Sequence, residues 1–136
     1  MTSSRAQALL ELALCAPIAI LLALGTVAMV QVAGARSGLD AATQAAADAA
    51  ARAPNPASAV AAAQARFSSV VAGYPLREPT LRVSVGDFAR TGNVTASSSA
   101  HVNLAWAAFL LLPDELTLQS QVVVKLEPWR THRPSP

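Results

Sequence analysis

The order of polar and apolar positions divides the chain into an apolar head, an alanine-rich middle and a strand-forming end. No charged side chain occurs between Leu12 and Ala35. At about 1.5 Å per residue, a helix over this run is about 36 Å long, more than the roughly 30 Å of a bilayer's hydrocarbon core. Pro17, which we expect in the first turns of this helix, and the single polar residues Thr26 and Gln31 interrupt the run only mildly. The pattern therefore predicts a transmembrane helix.

An alanine-rich helical pattern follows the apolar run. Polar residues recur at every fourth position and form one stripe along a helix, with two pairs of opposite charges as neighbours: Arg36, Asp40, Gln44, Asp48 and Arg52. The opposite face is nearly all alanine, which favours helix and lets another helix or a sheet approach closely. Gly34 and Gly38 weaken this junction without ending the helix.

A proline pair breaks the alanine-rich segment, which we place over 36–72. The sequence Pro54-Asn55-Pro56 ends the first helix, because proline interrupts the hydrogen-bond ladder and disfavours helical geometry in the residue before it. A second helix is predicted from Ala57 to about Val71, with Ser58 as its candidate cap. Gly73-Tyr74-Pro75 ends it.

The last third of the chain changes to the alternating pattern of β-strands. Apolar and polar residues alternate over 81–85, less strictly over 93–104, and again over 116–126. A turn is predicted over 90–93, and Pro113-Asp114 ends the apolar stretch 104–112, which is too short to cross a bilayer. We expect an α+β fold, in which a small three-stranded antiparallel sheet over 80–127 packs one face on the helices. A flexible tail over 128–136 follows it.

Composition and charge narrow the classes of function. Apolar residues make up 53% of the 136 residues and charged residues 13%, which is about half the charged share of an ordinary soluble domain. Ten basic and eight acidic residues give a net charge of +2, too small and too scattered for nucleic-acid binding. The single cysteine, Cys15, cannot form an intramolecular disulfide, and we expect it to pack as an apolar side chain.

Candidate catalytic residues are few. His101 and His132 have no second histidine or cysteine at metal-ligand spacing, and the sequence lacks the G-x-S-x-G, P-loop and G-x-G-x-x-G motifs. A solvated turn explains Asp114-Glu115, and a polar strand or loop explains Ser97-Ser98-Ser99. Trp106 and Trp129 fit either a membrane interface or packing under the sheet. We therefore expect no enzyme activity, no metal or other cofactor, no small-molecule substrate and no nucleic-acid partner.

Glu11 is a lone carboxylate at the head of the apolar run. Drawn further into the membrane, an ionised carboxylate costs on the order of 2.5 kcal/mol or more unless it is paired. At headgroup depth near a helix N-terminus, the helix dipole favours the same charge. The charge of Glu11 alone does not decide whether it lies at headgroup depth or is paired further inside the membrane.

The residues around Glu11 carry a resemblance to a known family. The stretch Arg5-Ala6-Gln7-Ala8-Leu9-Leu10-Glu11-Leu12, followed at once by the apolar run, resembles the processing site of type IV pilin-like proteins, and in particular the TadE-like family of tight-adherence pilus proteins. In that family a small residue, usually glycine, precedes the cut, and glutamate is the fifth residue after it. The layout of helices and strands and the ending LTLQSQVVVKLEPW are also similar to that family.

The resemblance implies a processing site at Ala6, Gln7 and Glu11. A prepilin peptidase would cut between Ala6 and Gln7, so that 1–6 is a short cytoplasmic leader and 7–35 is the transmembrane helix. Ala6 stands where the family usually has glycine. Glu11 would pair with the freed amine of a neighbouring subunit, and such a buried pair contributes register more surely than stability. The N-terminus would face the cytoplasm, and the C-terminal domain would lie outside the inner membrane.

The expected function is that of a bitopic, pilin-like membrane protein, a minor structural or assembly component of a tight-adherence pilus or a type II/IV-like secretion apparatus. Its expected partners are the lipid bilayer, the prepilin peptidase, and other pilin-like subunits or pilus assembly proteins. One alternative is a single-pass anchor whose extracytoplasmic domain binds another envelope protein without polymerising. Another is a small secreted protein cleaved after Ala35, since Ala33-Gly34-Ala35 has the form of a secretory cleavage site, although the run is long for a signal core of about 7 to 15 residues.

Overall fold

The computed structural model describes residues 2–86 and 92–126, which form two long elements of helix and a three-stranded sheet. In chain order the elements are α1 (Thr2–Arg52), α2 (Pro56–Val71), β1 (Arg77–Val85), β2 (Asn93–Asn103), a 3₁₀ helix (Ala105–Leu110) and β3 (Glu115–Lys125). A long apolar N-terminal helix followed by a small antiparallel sheet is an α+β arrangement, and the predicted fold class is confirmed. The tail 128–136 and residues 90–91 of the predicted turn lie outside the described residues.

Helix α1 runs without interruption for 51 residues, about 76 Å. It joins the predicted transmembrane helix to the first part of the alanine-rich segment, and it continues through Gly34 and Gly38. The prediction that Pro17 lies in the first turns of the helix is wrong, because the helix already begins at Thr2. Inside the helix Pro17 removes one backbone hydrogen bond, and the remaining ladder carries the helix through.

The C-terminal half of α1 supplies the centre of the hydrophobic core. Its buried apolar residues are spaced three or four apart and so share one face: Ala35, Leu39, Ala42, Ala46 and Ala50. Because most of them are alanines, α2 and the sheet approach α1 closely. The polar stripe lies away from this core, and along it Gln44 Nε2 donates a hydrogen bond of 3.1 Å to Asp48 Oδ1.

Helix α2 begins with a capping box that differs from the predicted cap. The side chain of Asn55 accepts a hydrogen bond from the Ser58 backbone N–H at 2.8 Å, and the Asn55 N–H donates to Ser58 Oγ at 3.4 Å. The prediction of Ser58 as the cap was wrong, because Pro56 has a fixed φ that suits the first helical turn and so moves the start of α2 forward. The helix buries one face, every fourth residue: Ala59, Ala63, Phe67 and Val71.

Tyr74, just after α2, lies directly on α1 at Gly38. A Cβ atom built at Gly38 would overlap the Tyr74 ring at Cγ and Cδ1, whereas a Cβ at Gly34 would meet no atom within 4 Å. Gly38 therefore allows the close approach of the chain that leads from α2 into the sheet. Gly34 has no comparable neighbour.

The sheet is antiparallel, with β2 in the centre and the order β1-β2-β3. Along β2 buried and more exposed residues alternate, and the buried ones face the helices: Val94, Ala96, Ser98, Ala100 and Val102. Strand β1 begins at Arg77, earlier than its alternating pattern indicates. An irregular register between Arg77 and Thr80, with Glu78 at φ 47°, hides the first part of the strand from a period-two pattern.

A buried hydroxyl pair joins α1 to the middle of the sheet. Thr43 Oγ1 donates to the carbonyl oxygen of Leu39 at 2.7 Å and lies 2.5 Å from Ser98 Oγ on β2. Because the single hydroxyl hydrogen of Thr43 goes to Leu39, the Ser98 hydroxyl must be the donor to Thr43. Both side chains are buried, and each hydroxyl has a hydrogen-bond partner within the protein.

Candidate functional site

The N-terminal half of α1 presents an apolar surface that nothing in the described chain covers. Only 6% of its most apolar 18-residue stretch is buried, whereas the core helix of a soluble protein would be mostly buried. Within the described residues it is the one helix long and apolar enough to cross a membrane. The exposed large side chains of this half are Leu9, Leu10, Leu12, Leu14, Ile18, Ile20, Leu21, Leu22, Val27, Met29 and Val30.

Contact between α1 and the rest of the protein begins near Ala28. Ala28 is the first buried residue of the helix, and Gln31 and Val32 are half-buried. A bilayer's hydrocarbon core takes about 20 helical residues. Counted from Leu12, such a segment ends at Gln31, close to the point where the domain begins to pack on the helix.

The predicted processing residues Ala6, Gln7 and Glu11 all lie on α1 and are exposed. Gln7 and Glu11 are four residues apart and therefore share one face of the helix. Glu11 makes no hydrogen bond or ion pair within the described part of the chain, so its carboxylate is available to a group from outside it. The bond between Ala6 and Gln7 lies near the end of the helix, where local opening requires little free energy.

Cys15, expected as a packed apolar side chain, is exposed. It lies four residues after Glu11, on the half of α1 that the domain does not cover. The expectation was wrong because the domain does not reach Cys15: its packing on α1 begins near Ala28.

Most of the polar residues that were weighed for catalysis and lie within the described part of the chain are on the sheet. His101 Nδ1 is 3.1 Å from Thr117 Oγ1 and 3.8 Å from Glu115 Oε1. Of the serine cluster, Ser98 faces the core. On the outer face, Ser97 and Ser99 line a shallow depression of about 400 Å³ with mostly hydroxyl and amide neighbours, among them Thr80, Arg82, Gln119, Ser120 and Gln121. Across residues 2–86 and 92–126, no three His, Cys, Asp or Glu side chains are grouped to hold a metal ion. His132 lies outside the described residues.

The structure adds an exposed apolar segment, 104–112, that sequence reasoning weighed only as a failed membrane span. It forms the 3₁₀ helix and the turn after it, with Trp106, Phe109, Leu111 and Leu112 exposed. Trp106 does not pack under the sheet, since its Nε1 donates a 3.1 Å hydrogen bond to Gln31 Oε1 on α1. Nine uncharged residues between Asn103 and Pro113 were the available sequence signal.

Comparisons of the chain with protein-family models, with curated proteins and with solved structures gave no match. The described residues establish an α+β domain joined without a break to a helix that is long and apolar enough to span a membrane. Its function is therefore inferred from the residues and geometry of this chain.

Proposed function

We propose that this protein is a single-pass, pilin-like membrane protein similar to the TadE-like family, and that it is a minor structural or assembly component of a tight-adherence pilus or a related secretion apparatus. The observation that carries the proposal is the continuity of α1 from Thr2 to Arg52. One half of this helix exposes apolar side chains and the other half is fixed in the domain core. Such a helix suits a subunit whose apolar half lies in the lipid bilayer before assembly and packs against the helices of neighbouring subunits afterwards.

Energetics support insertion of the exposed half into a bilayer. Leucine, isoleucine and valine each favour the centre of a membrane helix by about 0.3–0.6 kcal/mol, so that the eight of them exposed between Leu12 and Val30 sum to about 2–5 kcal/mol. A charge at the centre opposes insertion by about 2.5–3.5 kcal/mol. Glu11 lies at the boundary of the run, where its carboxylate reaches the headgroups and this penalty is much smaller.

The processing residues fit the same proposal. Cleavage between Ala6 and Gln7 by a prepilin peptidase would place a new amine on Gln7, one helical turn before Glu11. In an assembly, the unpaired Glu11 carboxylate would accept the amine of a neighbouring subunit, and both charges would then be satisfied away from water. Small residues along the exposed half, such as Ala16, Ala19 and Gly25, permit close approach of helices.

The proposal includes an orientation. The N-terminus faces the cytoplasm, α1 crosses the inner membrane once, and the sheet and α2 lie on the extracytoplasmic side. The runner-up is an anchor with the same topology that binds an envelope protein and does not polymerise. Secretion after cleavage at Ala35 is less favoured, since Ala35 is 1% exposed in the middle of α1 and cleavage there would remove the Gln31 contacts of the domain.

Mass spectrometry of the protein extracted from membranes separates these proposals. A chain that begins at Gln7 supports the pilin-like proposal, and one that begins at Met1 or Thr2 supports the uncleaved anchor. A chain that begins at Arg36 supports secretion and contradicts membrane residence.

A variant at Glu11 tests assembly separately from processing. Glu11→Ala should leave the protein in the membrane fraction and sharply reduce its recovery in cross-linked multimers or sheared surface filaments. Asp40→Asn, which removes an exposed carboxylate from α1 beyond the apolar run, is the matched control and should assemble normally. Normal assembly of Glu11→Ala would contradict the pairing.

A further inference from the structure

The segment 104–113, here named the apolar loop, is unusually exposed for its composition. It carries no charged residue, and its side chains include Phe109 at 53% exposure and Leu111 at 95%. Leu111 has a φ of 57°, a left-handed conformation in which glycine or asparagine is less strained. A bulky apolar residue that is both strained and exposed indicates an environment other than water.

The apolar loop is held in a defined shape by hydrogen bonds at its base. The Leu104 N–H donates to the carbonyl oxygen of Asp114 at 2.7 Å, which closes the loop between β2 and β3. The Ala105 N–H donates to Asn103 Oδ1 at 2.8 Å, which ties the start of the 3₁₀ helix to the end of β2. The exposed side chains are therefore presented by a closed loop rather than by a loose end.

The loop lies beside α1 at the level of the apolar run. An apolar groove of about 720 Å³ separates the two, lined on the helix side by Leu22 and Met29 and on the loop side by Leu110 and Leu112. Arg36 lines the other end of the groove, so that the groove follows α1 for about 21 Å, from Leu22 to Arg36. Once α1 spans a bilayer, most of that distance lies within the hydrocarbon core, which ends near Gln31.

Gln31 links the loop to the helix at this level. Its Oε1 accepts from Trp106 Nε1 at 3.1 Å, and its Nε2 donates to the Asn103 carbonyl oxygen at 3.5 Å. A polar side chain at membrane depth requires such internal partners, and the indole N–H is typical of the membrane interface. Asp114 and Glu115 follow the loop, and Arg36 lies at the domain end of the groove, so the charges lie where headgroups are expected.

We propose that the apolar loop inserts into the same bilayer leaflet as the adjacent part of α1, and that lipid acyl chains occupy the groove. The Gln31 contacts with Trp106 and Asn103 fix the depth of the loop, so the domain rests against the membrane instead of standing away from it. This inference depends on the proposed membrane insertion of α1. The proposed partner of the apolar loop is membrane lipid. Burial of the loop against a second copy of the chain would contradict the proposal.

Depth-dependent fluorescence quenching tests the inference with three single-cysteine proteins. An environment-sensitive fluorophore is attached to native Cys15, to Leu111→Cys in a Cys15→Ala background, and to Ala57→Cys in the same background. Ala57 is an exposed residue at the start of α2, beyond the domain end of α1, and is the matched control. Each protein is reconstituted in phosphatidylcholine vesicles with or without spin-labelled phosphatidylcholine. Since Leu111 is almost fully exposed, its substitution should not impair folding.

We expect quenching at position 111 to exceed quenching at position 57 severalfold, and to be stronger with the spin label near the headgroup than deep in the acyl chain. Quenching at Cys15 with only background quenching at 111 would overturn the loop insertion and leave the anchoring of α1 intact. A blue-shifted but unquenched fluorophore at 111, at high lipid-to-protein ratio, would overturn it in favour of a second copy. Absence of quenching at Cys15 would contradict the proposed function itself.

Discussion

The hydroxyl pair of Thr43 and Ser98 allows a quantitative test of how α1 is joined to the sheet. In Thr43→Val the shape is kept, but the buried Ser98 hydroxyl loses its acceptor at 2.5 Å. A buried donor without a partner costs about 1–3 kcal/mol. In Ser98→Ala the Thr43 hydroxyl still donates to Leu39, so the loss should be that of an ordinary hydrogen bond, about 0.5–1.5 kcal/mol.

The double variant distinguishes this hydrogen-bond direction from a simple packing effect. With both hydroxyls removed no buried donor is left unpaired, so Thr43→Val with Ser98→Ala should lose clearly less than the sum of the single variants, by about 1 kcal/mol or more. Thr26→Val is the control, because Thr26 makes the same helical hydrogen bond, to Leu22 at 2.9 Å, but lies outside the core of the domain. Its effect should stay within about 0.5 kcal/mol.

Thermal unfolding of the full-length protein in detergent, followed by the circular dichroism of the sheet, measures these differences. For a folded part of this size, 1 kcal/mol corresponds to a shift in melting temperature of about 4–8 °C. Thr43→Val should melt lowest of the single variants. Wild-type stability of Thr43→Val, or a double-variant loss equal to the sum of the single losses, would refute the assigned donor and acceptor.

Two further predictions follow from close contacts in the helices. Gly34→Ala should stabilise the protein by about 0.5–1 kcal/mol through helix propensity. Gly38→Ala should be about 1–3 kcal/mol less stable than Gly34→Ala, because the Tyr74 ring must move to make room for the new Cβ. Equal melting temperatures of the two variants would contradict the contact between Gly38 and Tyr74. Asn55→Ala should lower stability by about 0.5–2 kcal/mol through loss of the α2 cap, whereas Asn55→Asp keeps an acceptor for the Ser58 N–H and should not. Equal melting temperatures of these two variants would exclude the capping box.

Local patterns were sufficient to predict the fold class. The uncharged run predicted the apolar helix, and the alanine face and alternating strands predicted the core. The prediction that the helix continues through Gly34 and Gly38 is confirmed. Glycine disfavours helix by only about 1 kcal/mol, and packing around Leu39 and the buried alanines offsets that locally unfavourable term. The first part of β1 was missed because Glu78-Pro79 and the irregular register interrupt its alternation.

The candidate site was predictable only where its residues are neighbours in sequence. Ala6, Gln7 and Glu11 were proposed from the resemblance of the stretch around them to a pilin-like processing site, and their roles remain predictions because their partners lie outside this chain. The apolar loop escaped prediction because its meaning depends on its place beside α1. Gln31 and Trp106, which join the two, are 75 residues apart, and no periodicity within either segment links them.

Extraction of membranes that carry the full-length protein tests the central claim most directly. The claim is that the exposed half of α1 lies in the bilayer, since nothing in the described chain covers its apolar side chains. After washing with alkaline carbonate, the protein should stay with the membrane pellet and be released only by detergent. Full-length protein in the aqueous fraction before any detergent is added would contradict membrane anchoring, and the proposed function and the loop insertion with it.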